Sequence, residues 1–136
     1  MINLSKLGRR FSTVNPDEMV LFKSLTNWWH PSGPMHMLYA YNYHRINFLR
    51  KHVGEVENFR IPFNNMKALD VGCGAGFLSE SMARLGASVT ALDPNPTSFN
   101  EAVAHQNLKR DLKSLQYINC SVEEYINSEK GKENIG

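Results

Sequence analysis

Leu69-Asp70-Val71-Gly72-Cys73-Gly74-Ala75-Gly76 is an apolar run that breaks into glycines at alternate positions. Lys67 to Val71 has the length and content of a short buried strand. Phe77 to Leu85 has helical spacing and is closed by Gly86. A glycine-rich turn between a strand and a helix allows a tight bend and lets a ligand approach the backbone closely. The helix that follows is expected to present free N–H groups toward that site.

The alternation continues downstream. Ala87 to Leu92 reads as a second strand that ends at Asp93, and Pro94 to Pro96 turn the chain into a helix from about Thr97 to Lys109. Leu115 to Cys120 reads as a third strand, followed by a helical turn over Val122 to Ile126. Strands separated by helices of this length predict an α/β fold with a parallel sheet and right-handed crossovers.

Two helices are expected upstream. Asn15-Pro16-Asp17-Glu18 is a start signal, with a capping asparagine, proline at the first helical position and a capping-box-like glutamate. Phe22, Leu25 and Trp29 then recur at helical spacing beside Leu21 and Trp28, up to the breakers His30-Pro31-Ser32-Gly33-Pro34. Trp28 and Trp29 are expected to pack in the core and lid. A second helix is predicted over about Tyr41 to Val53, with Ile46, Leu49 and Val53 as its apolar face and Gly54 as its stop. Residues 55–66 read as a polar connection. Asn127 to Gly136 has no hydrophobic period and reads as a polar tail. The expected organisation is a targeting segment over 1–12, a helical cap or lid over 13–66, a ligand-binding half domain over 67–126 and the tail over 127–136.

The chain of 136 residues is long enough for one domain. Its apolar fraction of 42% and charged fraction of 21% are those of a globular protein. A net charge of +2 makes no case for nucleic acid, and no apolar run reaches bilayer length. Cys73 and Cys120 form neither a metal-ligand spacing nor a disulfide framework, so buried free thiols in a reducing compartment are expected. Residues 1–12 carry Lys6, Arg9 and Arg10 with no acid before Asp17, and Leu4, Leu7 and Phe11 can share a helix face. That is the composition of a mitochondrial presequence, and Arg9-Arg10-Phe11-Ser12-Thr13 has the look of a processing site.

Two details choose between ligands. The dinucleotide fingerprint spaces its glycines Gly-x-Gly-x-x-Gly, whereas Gly76 falls one position early and Phe77 stands where a small residue is wanted. Asp70, two residues before Gly72, would repel a pyrophosphate but suits a ligand bearing an ammonium and a sulfonium. Asp93, at the end of the second strand, stands where a carboxylate can accept hydrogen bonds from both hydroxyls of a ribose. S-adenosylmethionine has all of these groups and no phosphate.

The run LDVGCGAGFLSESMARLGASVTALD, the upstream stretch STVNPDEMVLFKSLTNWWHPSGPMHMLYAYNYHRINFLR and the later SVEEYI resemble the ubiquinone biosynthesis O-methyltransferases, from Ser12 to Ile126. These are class I S-adenosylmethionine-dependent enzymes, and the resemblance implies the N-terminal half of their Rossmann-like fold, preceded by two helices and apparently truncated after the third strand. It implies that Arg45, Gly72 and Asp93 contact the cofactor; Asp70, Gly74 and Gly76, read from the turn itself, complete the candidate site. A guanidinium such as that of Arg45 can clamp the cofactor's carboxylate bidentately. Backbone near Cys120 to Val122 is a further candidate for the adenine.

Departures are His30 where the family has Asp, Tyr39 and Tyr41-Asn42-Tyr43 in place of its usual residues, Ala75 where a fourth glycine is common, and Pro94-Asn95-Pro96. The implied substrate is a polyprenylated dihydroxybenzoate or demethylubiquinol methylated on a catechol hydroxyl. The implied setting is a peripheral position on the matrix face of the inner mitochondrial membrane, in contact with a multi-enzyme ubiquinone biosynthetic complex. Magnesium is implied by the family alone, because His30, His36, His44, His52 and His105 are scattered, and the residues single out no catalytic group. The alternatives are a non-catalytic cofactor-binding or complex-docking protein and a nicotinamide dinucleotide binder. Without a fourth strand, the first strand is expected to carry an open apolar edge.

Overall fold

In a computed structural model, residues 14–23, 27–54, 56 and 58–135 are described. The expected presequence over 1–12 lies outside them. Three parallel strands, β1 (Lys67–Val71), β2 (Ser88–Leu92) and β3 (Leu115–Ile118), form one sheet in the order β1-β2-β3. Leu69 is in register with Thr90, and Thr90 with Gln116. The crossover helices are α3 (Phe77–Arg84) and α4 (Pro96–Asn107), so the α/β expectation holds. Among the described residues β1 pairs only with β2, and Leu69 and Val71 are exposed on it.

Helices α1 (Pro16–Lys23) and α2 (His36–His52) precede the sheet. Asn15 Oδ1 accepts the Asp17 N–H at 2.9 Å, and Asp17 and Glu18 fill the first turn, where the helix dipole favours acids. The expected continuous helix up to Trp29 is not formed. The chain is already in a turn at Asn27, whose φ of 56° is left-handed, and Trp28 and Trp29 follow in that turn. Leu25 lies outside the described residues. Helix α2 begins at His36, earlier than the predicted Tyr41. Its first turns expose Met37, Leu38 and Tyr39, so they carry no core-facing period that pattern analysis could detect.

The connection over 55–66 is less polar in effect than its composition. Phe63 is buried, and its N–H donates to Leu85 O at 2.9 Å, tying the approach to β1 to the end of α3. The main core joins Ile46 of α2, Phe63, Met82 of α3, Val89 and Ala91 of β2, and Tyr117 of β3. Strand β3 stops at Ile118 rather than Cys120, because Cys120 N–H turns back to Ile118 O.

The C-terminal segment corrects the expectation of a frayed tail. After α5 (Val122–Asn127), Glu129–Ile135 forms a further helix, α6. It seats on α5 through Asn134 Nδ2, which donates to Tyr125 Oη at 3.0 Å, and through Gly131, whose missing Cβ leaves room for Tyr125 O. Contact made by a glycine and an amide leaves no apolar period in the sequence. Helix α5 starts with a full capping box: Ser121 Oγ accepts the Glu124 N–H at 3.2 Å, and Glu124 Oε2 accepts the Ser121 N–H at 2.8 Å. Ser121→Ala should lower unfolding free energy by about 1 kcal/mol, measured by urea titration with an unchanged slope.

Candidate cofactor-binding site

A cavity of about 400 Å³ opens beside the glycine turn and the end of β2, bounded by residues of α1, α2 and α4. Four of the six sequence-predicted residues line it: Arg45, Gly72, Gly74 and Asp93. Asp93 is buried at the end of β2, with Oδ2 accepting the Gly74 N–H at 2.8 Å and Oδ1 accepting the Asn95 N–H at 2.8 Å. Each carboxylate oxygen keeps a further acceptor position. Burial raises the Asp93 carboxyl above its ordinary value, the bonds from Asn95 and Gly74 oppose that shift, and the charge of Asp70 adds to it.

Asp70 and Gly76 are not in the lining. Asp70 accepts the Ser79 hydroxyl at 2.6 Å, so it fastens β1 to the first turns of α3 and acts on the cavity through its charge. Its carboxyl is raised by burial, against the lowering effects of the Ser79 bond and the Arg45 charge. Gly76 has a φ of 90°, and a Cβ there would overlap Tyr117 Oη. Its role is close packing of turn on sheet.

The backbone of the turn also departs from expectation. Gly72 and Cys73 N–H groups donate to Leu92 O at 2.8 and 2.9 Å, Gly74 N–H to Asp93, and Gly76 N–H to Cys73 O at 3.0 Å. These donors are spent inside the protein rather than offered to an anion. Gly72 nevertheless leaves open space where a Cβ would stand, so a ligand can lie directly on the backbone.

Arg45 projects from α2, where Nη2 donates to Asn42 Oδ1 at 3.0 Å. Asn42 in turn donates to Ser81 Oγ at 2.6 Å and Phe77 O at 3.1 Å, which ties the arginine to α3. The arginine–asparagine spacing on one helix face was a legible signal for this support. Sequence reasoning also missed Asn95 and Ser98 of the β2–α4 junction, and Asn15, Glu18 and Met19 at the start of α1, all in the lining. Asn95 Nδ2 donates to Met19 O at 3.3 Å, which holds α1 against this junction. Trp28, buried, is part of the cavity wall.

Cys73 lines the cavity with its thiol pushed up by burial and by the Asp93 and Asp70 charges, which keeps it protonated. Cys120 instead lines a separate hollow with Phe99, Tyr117 and Tyr125, away from this cavity. Among the described residues, no three His, Cys, Asp or Glu side chains gather as metal ligands.

Residues 68–132 match a methyltransferase domain family. The chain is 42% identical over 117 residues to the mitochondrial ubiquinone biosynthesis O-methyltransferase of Schizosaccharomyces pombe, covering 85% of this chain and 41% of that protein. The Arabidopsis thaliana protein of the same name, also mitochondrial, is 31% identical over 135 residues, covering 96% of this chain and 42% of that one. The Methylobacterium nodulans ubiquinone biosynthesis O-methyltransferase is 40% identical over 98 residues, covering 68% and 39%. The chain thus spans about two fifths of the length of these curated relatives.

Among solved structures, the fold is shared with a SAM-dependent methyltransferase from Agrobacterium tumefaciens at a TM-score of 0.52 and 20% identity, over 70% of this chain and 28% of that one. It is shared with the bifunctional kinase-methyltransferase WbdD at a TM-score of 0.51 and 20% identity, over 82% and 25%. The chain thus carries a methyltransferase domain on the class I methyltransferase fold, and in sequence it is similar to the ubiquinone biosynthesis O-methyltransferases over about two fifths of their length.

Proposed function

We propose that this chain binds S-adenosylmethionine in the cavity beside the glycine turn and is the cofactor-binding part of an O-methyltransferase of ubiquinone biosynthesis. The observation that carries the reading is Asp93, a buried carboxylate facing the cavity at a strand end and aimed by the Gly74 and Asn95 amides. The residues fit the cofactor's chemistry. Arg45 suits its carboxylate, Asp93 its ribose hydroxyls, and the open face of Gly72 a flat approach to the backbone. The spent turn amides and the charge of Asp70 oppose a pyrophosphate, which disfavours the dinucleotide reading.

When bound, the cofactor supplies an electrophilic methyl on a sulfonium. The chain's own part is alignment and exclusion of water. Trp28, Leu38 and Phe77 give the cavity apolar walls, and α1 covers it. The acceptor in this reading is a catechol hydroxyl of a polyprenylated dihydroxybenzoate or demethylubiquinol, as the similarity to ubiquinone biosynthesis O-methyltransferases suggests. Mitochondrial residence is supported by the names of the S. pombe and Arabidopsis relatives and by the basic first twelve residues. Peripheral contact with an anionic membrane surface is supported by α2, which has no acidic residue, exposes Met37, Tyr41 and Phe48, and carries Arg50 and Lys51 in its last turn. A place in a multi-enzyme biosynthetic complex belongs to the same proposal.

Titration with S-adenosylhomocysteine should raise the thermal midpoint, and NAD should not. Asp93→Ala should weaken the interaction at least tenfold, since bonds to a charged group contribute about 1.5–3 kcal/mol each. A shift with NAD and none with S-adenosylhomocysteine would overturn the assignment.

Charge also sets a pH dependence. A carboxyl raised by folding stabilises the folded ligand-free chain below its unfolded value, and that contribution is lost as pH rises through the folded value. Asp70 is such a group. Asp70→Asn should therefore gain thermal midpoint relative to wild type on going from pH 4 to pH 7. Over the same interval, wild-type affinity for the ammonium-bearing S-adenosylhomocysteine should rise and that of the variant should rise less. Equal pH profiles for the two proteins would count against a role for the Asp70 charge.

A further inference from the structure

A second group of polar side chains gathers around Glu80, outside the lining of the cavity. Glu80 of α3 is fully buried. Its Oε1 lies 2.7 Å from His105 Nδ1 of α4, and its Oε2 lies 3.1 Å from Arg84 Nη2. Arg84 Nε also reaches Asp111 Oδ2 at 2.9 Å. The imidazole of His105 lies flat on the indole of Trp29, with centroids 3.5 Å apart and planes 3° from parallel. The indole N–H donates to Ala75 O at 3.0 Å, and Ala75 lies in the cavity wall.

These contacts form an unbroken line from a buried carboxylate to the backbone on which the ligand is proposed to rest. Ala75 sits between Gly74 and Gly76, whose φ values are 58° and 90°. Glycines impose little steric preference on the peptides they flank, so the orientation of this segment depends on its hydrogen bonds. The Gly76 N–H holds the Ala75–Gly76 peptide from within the turn, through Cys73 O, and the Trp29 N–H holds the same peptide from outside it, through Ala75 O. Trp29 is only partly buried, beside Phe77, and needs a second surface to fix its plane. The His105 ring is that surface, held edge-on by Glu80, which cannot swing away without leaving a charge buried with fewer partners.

We infer that Glu80, His105 and Trp29 are positioning residues that set the shape of the cofactor turn through Ala75 O. The inference rests on the cofactor reading above for its functional consequence, but its structural part stands without a ligand. Positioning residues in one line are coupled: once a link is broken, breaking another adds little. Residues that merely stabilise the fold at separate points act additively.

The test uses Trp29→Phe, His105→Gln and the double variant of the full chain. Amide hydrogen exchange at Gly74 and Gly76 is followed in the ligand-free proteins, and affinity for S-adenosylhomocysteine is measured by calorimetry. Each single variant should speed exchange at the turn several-fold and weaken binding about three- to tenfold, with the double variant no worse than the weaker single. Trp29→Phe keeps the apolar bulk and is informative by itself if His105→Gln fails to fold. Unchanged exchange at Gly74 and Gly76, or effects that multiply in the double variant, would overturn the inference. Coupled exchange in a wild-type chain that does not bind S-adenosylhomocysteine would uphold the positioning line and reject the cofactor reading instead.

Discussion

The bond from Gly74 N–H to Asp93 Oδ2 holds the site together. It joins the turn after β1 to the end of β2 and so fixes one crossover unit against its neighbour. It also draws a carboxylate out of water and orients it, a large desolvation offset by two backbone donors. The cavity exists because this corner is rigid: Gly72 and Cys73 bond back to Leu92 on the same strand, and α1 is tied to the adjoining Asn95. Remove the carboxylate and the turn loses its anchor and the cavity its principal acceptor together.

The sheet and its crossover helices were legible because their signals are local. Apolar runs of strand length ended in glycine or aspartate, and Gly86 stands where a helix end needs it. Elements whose stability comes from distant contacts were not. Helix α6 is read as a polar tail because it docks through Gly131 and Asn134 rather than an apolar stripe. The first turns of α2 show no core-facing period because their side chains lie in solvent. The end of α1 was overextended because Trp28 and Trp29 fall at helical spacing by coincidence, each held for a separate reason: one in the cavity wall, the other against His105.

The site was legible in composition more than in geometry. Asp93 and the first two glycines line the cavity as their positions suggested, and so does Arg45, which the family resemblance rather than its position singled out. Asp70 could be placed in sequence but not in orientation, since its partner Ser79 is one of two serines in α3. The internal use of the turn amides was invisible as well, because it depends on how closely Leu92 O approaches, a property of strand register.

The close approach of Tyr117 Oη to Gly76 links positions far apart in the chain. Any lineage that replaced this glycine would first need a smaller residue on β3, and would still face a left-handed backbone at the turn. Drift at the two positions is therefore constrained jointly, so divergence at the phenol should accompany a change of turn geometry rather than occur alone.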